Sequence, residues 1–186
     1  MKQIIISALI TAALAAPLAA QAETAYVGGN IGRAEQKLDV PGYSTKDNTT
    51  GYKLVGGVEY TKNFGLEVGY ADLREVSISG NGARLASKPQ VFYVAGTATL
   101  PIDEQFSVFG KAGIASAHTK ISASMPGFSD SGTDNETTGV IGVGAAFHLN
   151  KNFSIVAEYE YFGKVAKDDD ASLKANLLSV GVRYKF

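Results

Sequence analysis

A strict alternation of side-chain character constrains this chain more than any other feature of its sequence. Residues 52–60 read Tyr-Lys-Leu-Val-Gly-Gly-Val-Glu-Tyr, so that one set of alternate positions is largely apolar and the other is small or charged. A period of two is the period of a β-strand, whereas no stretch after residue 24 keeps the 3.6-residue period of a helix. The alternation predicts an all-β fold with eight strands, in residues 25–32, 52–60, 64–71, 92–100, 106–114, 141–148, 153–161 and 178–186.

The connections between these segments alternate in length. Three of them, residues 61–63, 101–104 and 149–152, are short, and four others, residues 37–49, 74–89, 120–136 and 163–174, are long and polar. Short turns at one end and long loops at the other are typical of an eight-stranded antiparallel up-and-down β-barrel, with both termini at the short-turn end. We expect the four long segments to be mostly mobile loops, because they are rich in Gly, Ser, Asn and Asp.

The composition of the two alternating sets indicates which side of the barrel faces outward. One set is aliphatic in the middle of each strand, with Phe or Tyr at many strand ends, while the other contains many of the 21 glycines together with Ala, Ser, Thr and charges. Alternation alone also fits a soluble lipocalin-like barrel, whose apolar residues point inward. The aromatic strand ends and the glycine-rich second set favour a transmembrane barrel with an apolar, lipid-facing band.

The second set carries eight charges that this assignment puts in the lumen. An unpaired charge in a closed interior costs several kcal/mol, so four bases and four acids predict a network of ion pairs. Glu59 and Glu67 flank the first short turn and need a base between them, for which Arg183 and Lys185 are candidates. The network is either a static polar plug or a gate whose pairs exchange and pass small ions. Its predicted members are Lys53, Glu59, Glu67, Lys111, Glu158, Glu160, Arg183 and Lys185.

The first 22 residues read as a targeting segment. Lys2 precedes an apolar run over residues 4–18, and Ala20-Gln21-Ala22 has the small-x-small pattern of a cleavage site. This order is typical of a secretory signal peptide. A membrane anchor helix is the alternative, but the run is shorter than the roughly 20 apolar residues that cross a bilayer. We therefore predict a signal peptide over residues 1–22 and a barrel domain over residues 23–186.

Several kinds of chemistry have little support in the sequence. The chain has no Cys, which excludes disulfides and thiolate metal sites, and its net charge of −1 argues against nucleic-acid binding. We predict no metal site and no cofactor. A lipid A-modifying enzyme at the barrel rim would need a His beside a Ser facing lipid. His118 is followed by Thr-Lys and His148 is predicted to point inward beside a short turn, so neither histidine fits.

Five segments of the chain resemble the OmpA transmembrane domain family. Residues 56–60 and 64–70 look like the second and third strands of that family, and residues 25–32 are similar to its first strand. Residues 157–161 and 178–186 resemble its seventh and eighth strands. The resemblance implies a bacterial outer-membrane location and a barrel-only member similar in size to the OmpX/Ail group. Thr97, Ala146 and Val156 stand where the family has other charged gate residues, so its gating mechanism does not carry over intact.

The resemblance also implies partners. Outer-membrane lipid and lipopolysaccharide would surround the barrel, and host or surface ligands could bind the long loops. The terminal alternation resembles the signal read by the barrel assembly machinery, with Val180, Val182, Tyr184 and Phe186 as the residues that carry it. The sequence thus predicts a non-enzymatic outer-membrane protein with a structural or adhesive role. A narrow, low-conductance pore is the alternative, and a rim enzyme is a more remote one.

Overall fold

The computed structural model describes residues 24–40, 43–74, 76–80, 83–125, 128–168 and 171–186, so the predicted signal peptide lies outside the described residues. These residues form nine β-strands. Their bounds are β1 Thr24–Val40, β2 Tyr43–Glu59, β3 Phe64–Asp72, β4 Val76–Gly80, β5 Ala83–Pro101, β6 Phe106–Met125, β7 Phe128–His148, β8 Phe153–Asp168 and β9 Ala171–Lys185.

The strands close into one antiparallel barrel. Their order is β3-β2-β1-β9-β8-β7-β6-β5-β4, and an additional pairing of β3 with β5 closes the ring. β3 and β4 both pair with β5, one after the other along its length, and therefore occupy one position in the ring. The predicted eight-stranded up-and-down barrel is confirmed. Among the described residues, no helix is long and apolar enough to span a membrane.

The chain bends between β3 and β4 at Arg74, which has a positive φ of 62°. The Asp72 carboxylate accepts a hydrogen bond from the Arg74 amide at 2.9 Å. The Gln36 side-chain amide, from β1, donates to the carbonyl of Leu73 at 3.4 Å. Non-glycine residues rarely adopt a positive φ, so these contacts hold a local conformation that the chain would otherwise disfavour.

The apolar set faces outward, as predicted for a membrane barrel. Leu54 is 67% exposed and Ile114 is 68% exposed, whereas their neighbours Lys53 and Ala115 are buried. A soluble barrel would show the reverse pattern, with its aliphatic side chains inside. The outer surface is therefore an apolar band that only lipid can cover at low cost.

The three short turns share one hydrogen-bond pattern. In each, a side-chain oxygen accepts from the backbone amides two and three residues ahead, which fixes the turn locally. The distances are 3.2 and 3.0 Å at Thr61, 2.8 and 2.7 Å at Asp103, and 2.9 and 2.8 Å at Asn150. A phenylalanine, Phe64, Phe106 or Phe153, follows each turn and begins the next strand on the outward face.

The expectation that the four long segments are loops is wrong for most of their described residues, which form paired strands. Strand β1 continues to Val40 and pairs with β2 as far as Val40↔Tyr43, and β6 pairs with β7 as far as Met125↔Phe128. The apolar alternation ends where the barrel leaves the lipid, because both faces of the sheet then contact water. Backbone pairing does not need that alternation and continues beyond it.

The extended strands separate into two arms at the long-hairpin end. β2 pairs with β3 only as far as Tyr52↔Asp72, and β7 pairs with β8 only as far as Ile141↔Tyr161. Beyond these pairs, no ladder between described residues joins β2 to β4 or β7 to β8. We call β8-β9-β1-β2 the first arm and β4-β5-β6-β7 the second arm.

Candidate functional site: the barrel interior

Glu67 is the centre of the charge cluster inside the barrel. One of its carboxylate oxygens accepts from the Tyr93 hydroxyl at 2.8 Å and from Lys111 Nζ at 2.7 Å. The other accepts from the Tyr26 hydroxyl at 2.9 Å and from Arg183 Nη2 at 3.3 Å. Four donors occupy the four lone-pair directions of the carboxylate, which is the condition for burying it without a large penalty.

Two further carboxylates share the same cations. Glu160 lies 2.7 Å from Lys53 Nζ and 2.7 Å from Lys111 Nζ. Glu158 pairs with Lys53 and lies 3.5 Å from Lys111 and 3.7 Å from Arg183. We call the six residues Lys53, Glu67, Lys111, Glu158, Glu160 and Arg183 the ionic layer. Its three positive and three negative charges cancel, and each of its cations contacts at least two carboxylates.

The other two predicted charges form a separate pair at the short-turn mouth. Lys185 Nζ contacts both oxygens of Glu59 at 2.8 Å, and both side chains keep about a fifth of their surface exposed. Nearby, His148 forms hydrogen bonds with Ser107 at 3.1 Å and Ser154 at 2.8 Å. These groups line a cavity of about 90 Å³ that opens toward the mouth. Arg183 thus pairs with Glu67, and Lys185 pairs with Glu59.

Aromatic rings surround the ionic layer and rest on glycines. The guanidinium of Arg183 lies 4.2 Å from the ring centroid of Tyr26, a cation–π distance. A Cβ at Gly57 would approach the Tyr26 ring to 2.2 Å, and a Cβ at Gly69 would approach the Tyr93 ring to 2.3 Å. The absence of side chains at these two glycines leaves the room in which the tyrosines reach Glu67.

An apolar layer, which the sequence analysis missed, lies beyond the ionic layer toward the long hairpins. Leu73, directly after β3, lies farther from the short turns than Glu67, and on β8 Phe162 lies farther than Glu160. The ring of Phe162 packs 6.2 Å from that of Tyr93 and so joins the two layers. The apolar layer consists of Leu73, Val91, Val140, Phe162 and Leu177, all of which are fully buried. Continuing the inward alternation past the predicted strand ends would have found them.

The remaining predicted residues lie at the surface. Val180, Val182 and Phe186 point outward and are exposed, and the Phe186 amide donates to the carbonyl of Ala25 at 2.9 Å. The ring of Tyr184 packs 4.9 Å from Phe153 and 5.1 Å from Phe186. His118 is exposed on the outer wall. In the part of the chain that the structure describes, no cluster of three or more His, Asp or Glu side chains could hold a metal ion.

Comparison with known proteins agrees with this architecture. The family model described as "Outer membrane protein beta-barrel domain" matches residues 5–186. The chain belongs to this outer-membrane β-barrel family. It is 26% identical over 188 residues to outer membrane protein A of Yersinia pseudotuberculosis, an alignment that covers 96% of this chain and 53% of the relative. The chain therefore spans about half the length of that curated relative.

Solved barrel structures have the same fold. Ail, the attachment invasion locus protein of Yersinia pestis, matches with a TM-score of 0.57 and 23% identity, over 87% of this chain and 99% of Ail. That structure is a complex with the heparin analogue sucrose octasulfate. OprG of Pseudomonas aeruginosa matches with a TM-score of 0.60 and 14% identity, over 89% of this chain and 97% of OprG. The protein is thus an outer-membrane β-barrel, and its short turns face the periplasm while its long hairpins face outward.

Proposed function

We propose that this barrel is a non-enzymatic scaffold of the outer membrane that holds its two arms outside the cell for contact with surface ligands. The observation that carries the proposal is the length of the strands. A transmembrane strand needs about 9–11 residues, whereas β6 has 20 and β7 has 21. About half of each strand is therefore available outside the lipid, as a paired and ordered surface.

The first arm has the charge to bind an anionic ligand. Lysines occupy paired positions across its four strands, with Lys37 opposite both Lys46 and Lys174, and Lys174 opposite Lys164. A sulfated or phosphorylated polymer laid across these positions would meet a lysine on each of the four strands. The complex of Ail with a heparin analogue makes a sulfated glycan the first ligand to test.

Shortening each arm separately tests the proposal. Replacing residues 38–47 by an Asn-Gly turn removes the tip of the first arm, and replacing residues 121–132 in the same way shortens the second. We expect the first deletion, which removes Lys46 and the ordered tip of the arm, to weaken adhesion of cells to a heparin-coated surface and the second to leave it intact. Slower or faster gel migration of the unboiled protein checks that each barrel is still folded. Equal adhesion by both folded variants would overturn the proposal.

A narrow pore is the second function that a specific contact favours. Each cation of the ionic layer faces more than one carboxylate, so its pairs could exchange as an ion passes. A gate of this kind predicts that Glu67→Lys raises conductance in planar bilayers, because charge reversal repels Lys111 and Arg183. An unchanged conductance in the Glu67→Lys variant would contradict the gate. The scaffold proposal expects no conductance until the apolar layer is also opened, by Phe162→Ala together with Leu177→Ala.

The predicted recognition by the barrel assembly machinery belongs to the same proposal. Val180, Val182 and Tyr184 on β9, with Phe186 directly after it, form an apolar and aromatic stripe on the outward face. A machine that inserts barrels could read this stripe before the lipid covers it. We expect deletion of Phe186 to lower the yield of folded barrel in the outer membrane, as measured by the heat-dependent gel shift.

A further inference from the structure

A groove interrupts the lipid-facing wall of the barrel across β9, β1, β2 and β3. It has a volume of about 450 Å³ and passes over Gly29, where the outward face has no side chain. A Cβ at this position would meet only Leu54 Cδ2 at 3.6 Å and the Lys53 carbonyl at 3.9 Å, so the space is open. The apolar walls of the groove are formed by Ile31, Leu54, Val180 and Val182.

Polar and cationic groups stand at the outer end of this groove. Tyr52, Tyr70 and Asp72 line that end, and the guanidinium of Arg74 lies 5.3 Å from the ring centroid of Tyr52. A second hollow begins at Ile31 and is lined by Arg33 and by polar residues of β2. The Arg33 side chain is exposed and forms no ion pair or hydrogen bond with the described residues.

Arg74 is held in position rather than free to move with a loop. Its backbone has a φ of 62°, and its amide is bound by the Asp72 carboxylate at 2.9 Å. The Gln36 side chain donates to the Arg74 carbonyl at 3.4 Å. The hydrogen bond from the Arg74 amide also engages the Asp72 carboxylate. Among the described residues that line the groove, Asp72 is the one acidic residue.

Among the outward-facing side chains that the structure describes, cations outnumber acids on the wall around the groove, whereas those at the same end of β5, β6 and β7 are uncharged. Beside and above the groove, the described outward-facing cations outnumber the acids Glu35 and Asp72. On β5, β6 and β7 the outward positions at the outer end of the lipid band are hydroxyl, amide and imidazole groups. The cations are Arg33, Lys37, Arg74, Lys164 and Lys174, and the neutral groups are Gln90, Ser116, His118, Asn135 and Thr137.

We propose that this groove is a binding site for one phosphorylated glycolipid of the outer leaflet, with an acyl chain over Gly29 and phosphates on Arg33 and Arg74. The groove is apolar along the depth of the acyl chains, and its cationic end lies at the long-hairpin side, which faces the outer leaflet. Arginine binds phosphate with two parallel hydrogen bonds and suits this role better than lysine. The site depends on the outer-membrane location but not on adhesion through the arms.

Native mass spectrometry of barrel purified from outer membranes in mild detergent tests the site. We expect one diphosphorylated lipid A-type molecule to remain bound. After delipidation, the barrel is titrated with lipid A, with dephosphorylated lipid A and with phosphatidylglycerol. Arg33→Gln and Arg74→Gln should each weaken lipid A binding about fivefold, the effect of one cation near an anionic lipid surface. Gly29→Leu, which fills the groove, should abolish the retained lipid.

Two matched controls separate a specific site from general lipid contact. Lys151→Gln removes an exposed cation at the short-turn end, and Gly96→Leu fills an open outward glycine on β5. Neither should change lipid A binding. Equal binding of phosphatidylglycerol and lipid A, or an equal effect of Gly96→Leu and Gly29→Leu, would overturn the proposal. Equal adhesion by both arm variants with retention of lipid A would contradict the proposed function and leave this site intact.

Discussion

The two layers of the barrel interior are stabilised by opposite kinds of interaction, although β8 and β9 supply residues to both. In the ionic layer, β8 contributes Glu160 and β9 contributes Arg183, and every carboxylate contacts at least two cations. In the apolar layer, the same two strands contribute Phe162 and Leu177, both with no exposed surface. The ionic layer depends on complete pairing of charges, whereas the apolar layer depends on close packing and the exclusion of water.

The difference teaches what each layer can contribute to function. A paired ionic layer can rearrange, because one cation has several acids within reach. A packed apolar layer presents no group that could replace the hydration shell of an ion. The barrier to ions should therefore lie at Phe162 and Leu177 rather than at Glu67, which is why the scaffold proposal expects no conductance in the intact barrel.

The largest expected effect comes from breaking the ionic layer at its centre. Glu67→Gln removes the charge that Lys111 and Arg183 share, and leaves the layer with one excess positive charge. We expect the free energy of unfolding in lipid vesicles to fall by about 3–5 kcal/mol, measured with urea. A loss below about 1 kcal/mol would mean that water or bound anions replace the carboxylate.

A slightly smaller effect is expected from the apolar layer. Leu177→Ala removes a fully buried side chain and leaves a cavity, which should cost about 2–4 kcal/mol in the same measurement. The neighbouring Leu178 is 59% exposed on the lipid-facing wall, so Leu178→Ala is the matched control and should cost less than half as much. Similar losses for both variants would show that the apolar layer is not tightly packed.

The glycines beneath the tyrosines should show an intermediate effect. A Cβ at Gly69 would clash with the Tyr93 ring, which must move and loosen its hydrogen bond to Glu67. We expect Gly69→Ala to lower the free energy of unfolding by about 1–3 kcal/mol, as overpacking does elsewhere. Gly56→Ala, on the outward face of β2 with open space around it, should change little. The two alanine variants can be compared by their urea midpoints.

The smallest effect is expected at the short-turn mouth. Glu59→Gln breaks the pair with Lys185, but both side chains are partly exposed, so the loss should be about 1 kcal/mol or less. The effect should shrink further in high salt, because the pair is screened by solvent. A loss as large as that of Glu67→Gln would show that the mouth and the ionic layer form a single network.

The sequence predicted the lipid-embedded part of this barrel well and the rest poorly, for one physical reason. Inside the bilayer, one face of each strand points into the barrel interior and the other contacts hydrocarbon. This requirement produces the alternation of side-chain character in segments such as residues 52–60. Outside the lipid the requirement disappears, so β1 beyond Gln36 and β6 beyond His118 carry no such pattern although they remain paired. The eight inward charges followed from the same alternation.

Other parts of the site depend on contacts that no local pattern encodes. The hydrogen bonds of Tyr26 and Tyr93 to Glu67 join residues 41 and 26 positions apart. From the sequence alone, these two tyrosines cannot be told from other aromatic residues in alternating segments. Their contact with Glu67 becomes visible only when the register of β1, β2, β3 and β5 is known. The groove over Gly29 likewise exists only because β9 lies beside β1, a pairing of the two ends of the barrel domain.

We expect that pairing of β1 with β9 also to limit the rate of assembly. The other ladders of the barrel connect strands that are near neighbours along the chain, and three of their turns are fixed by local side-chain hydrogen bonds. Closure must instead bring Tyr26 to Lys185, across nearly the whole domain. Since loop closure over such a distance is slow compared with hairpin formation, the final seam should limit the rate at which an open sheet becomes a cylinder. Until this seam forms, the unpaired edges of β1 and β9 remain available to a factor that inserts the sheet into the membrane.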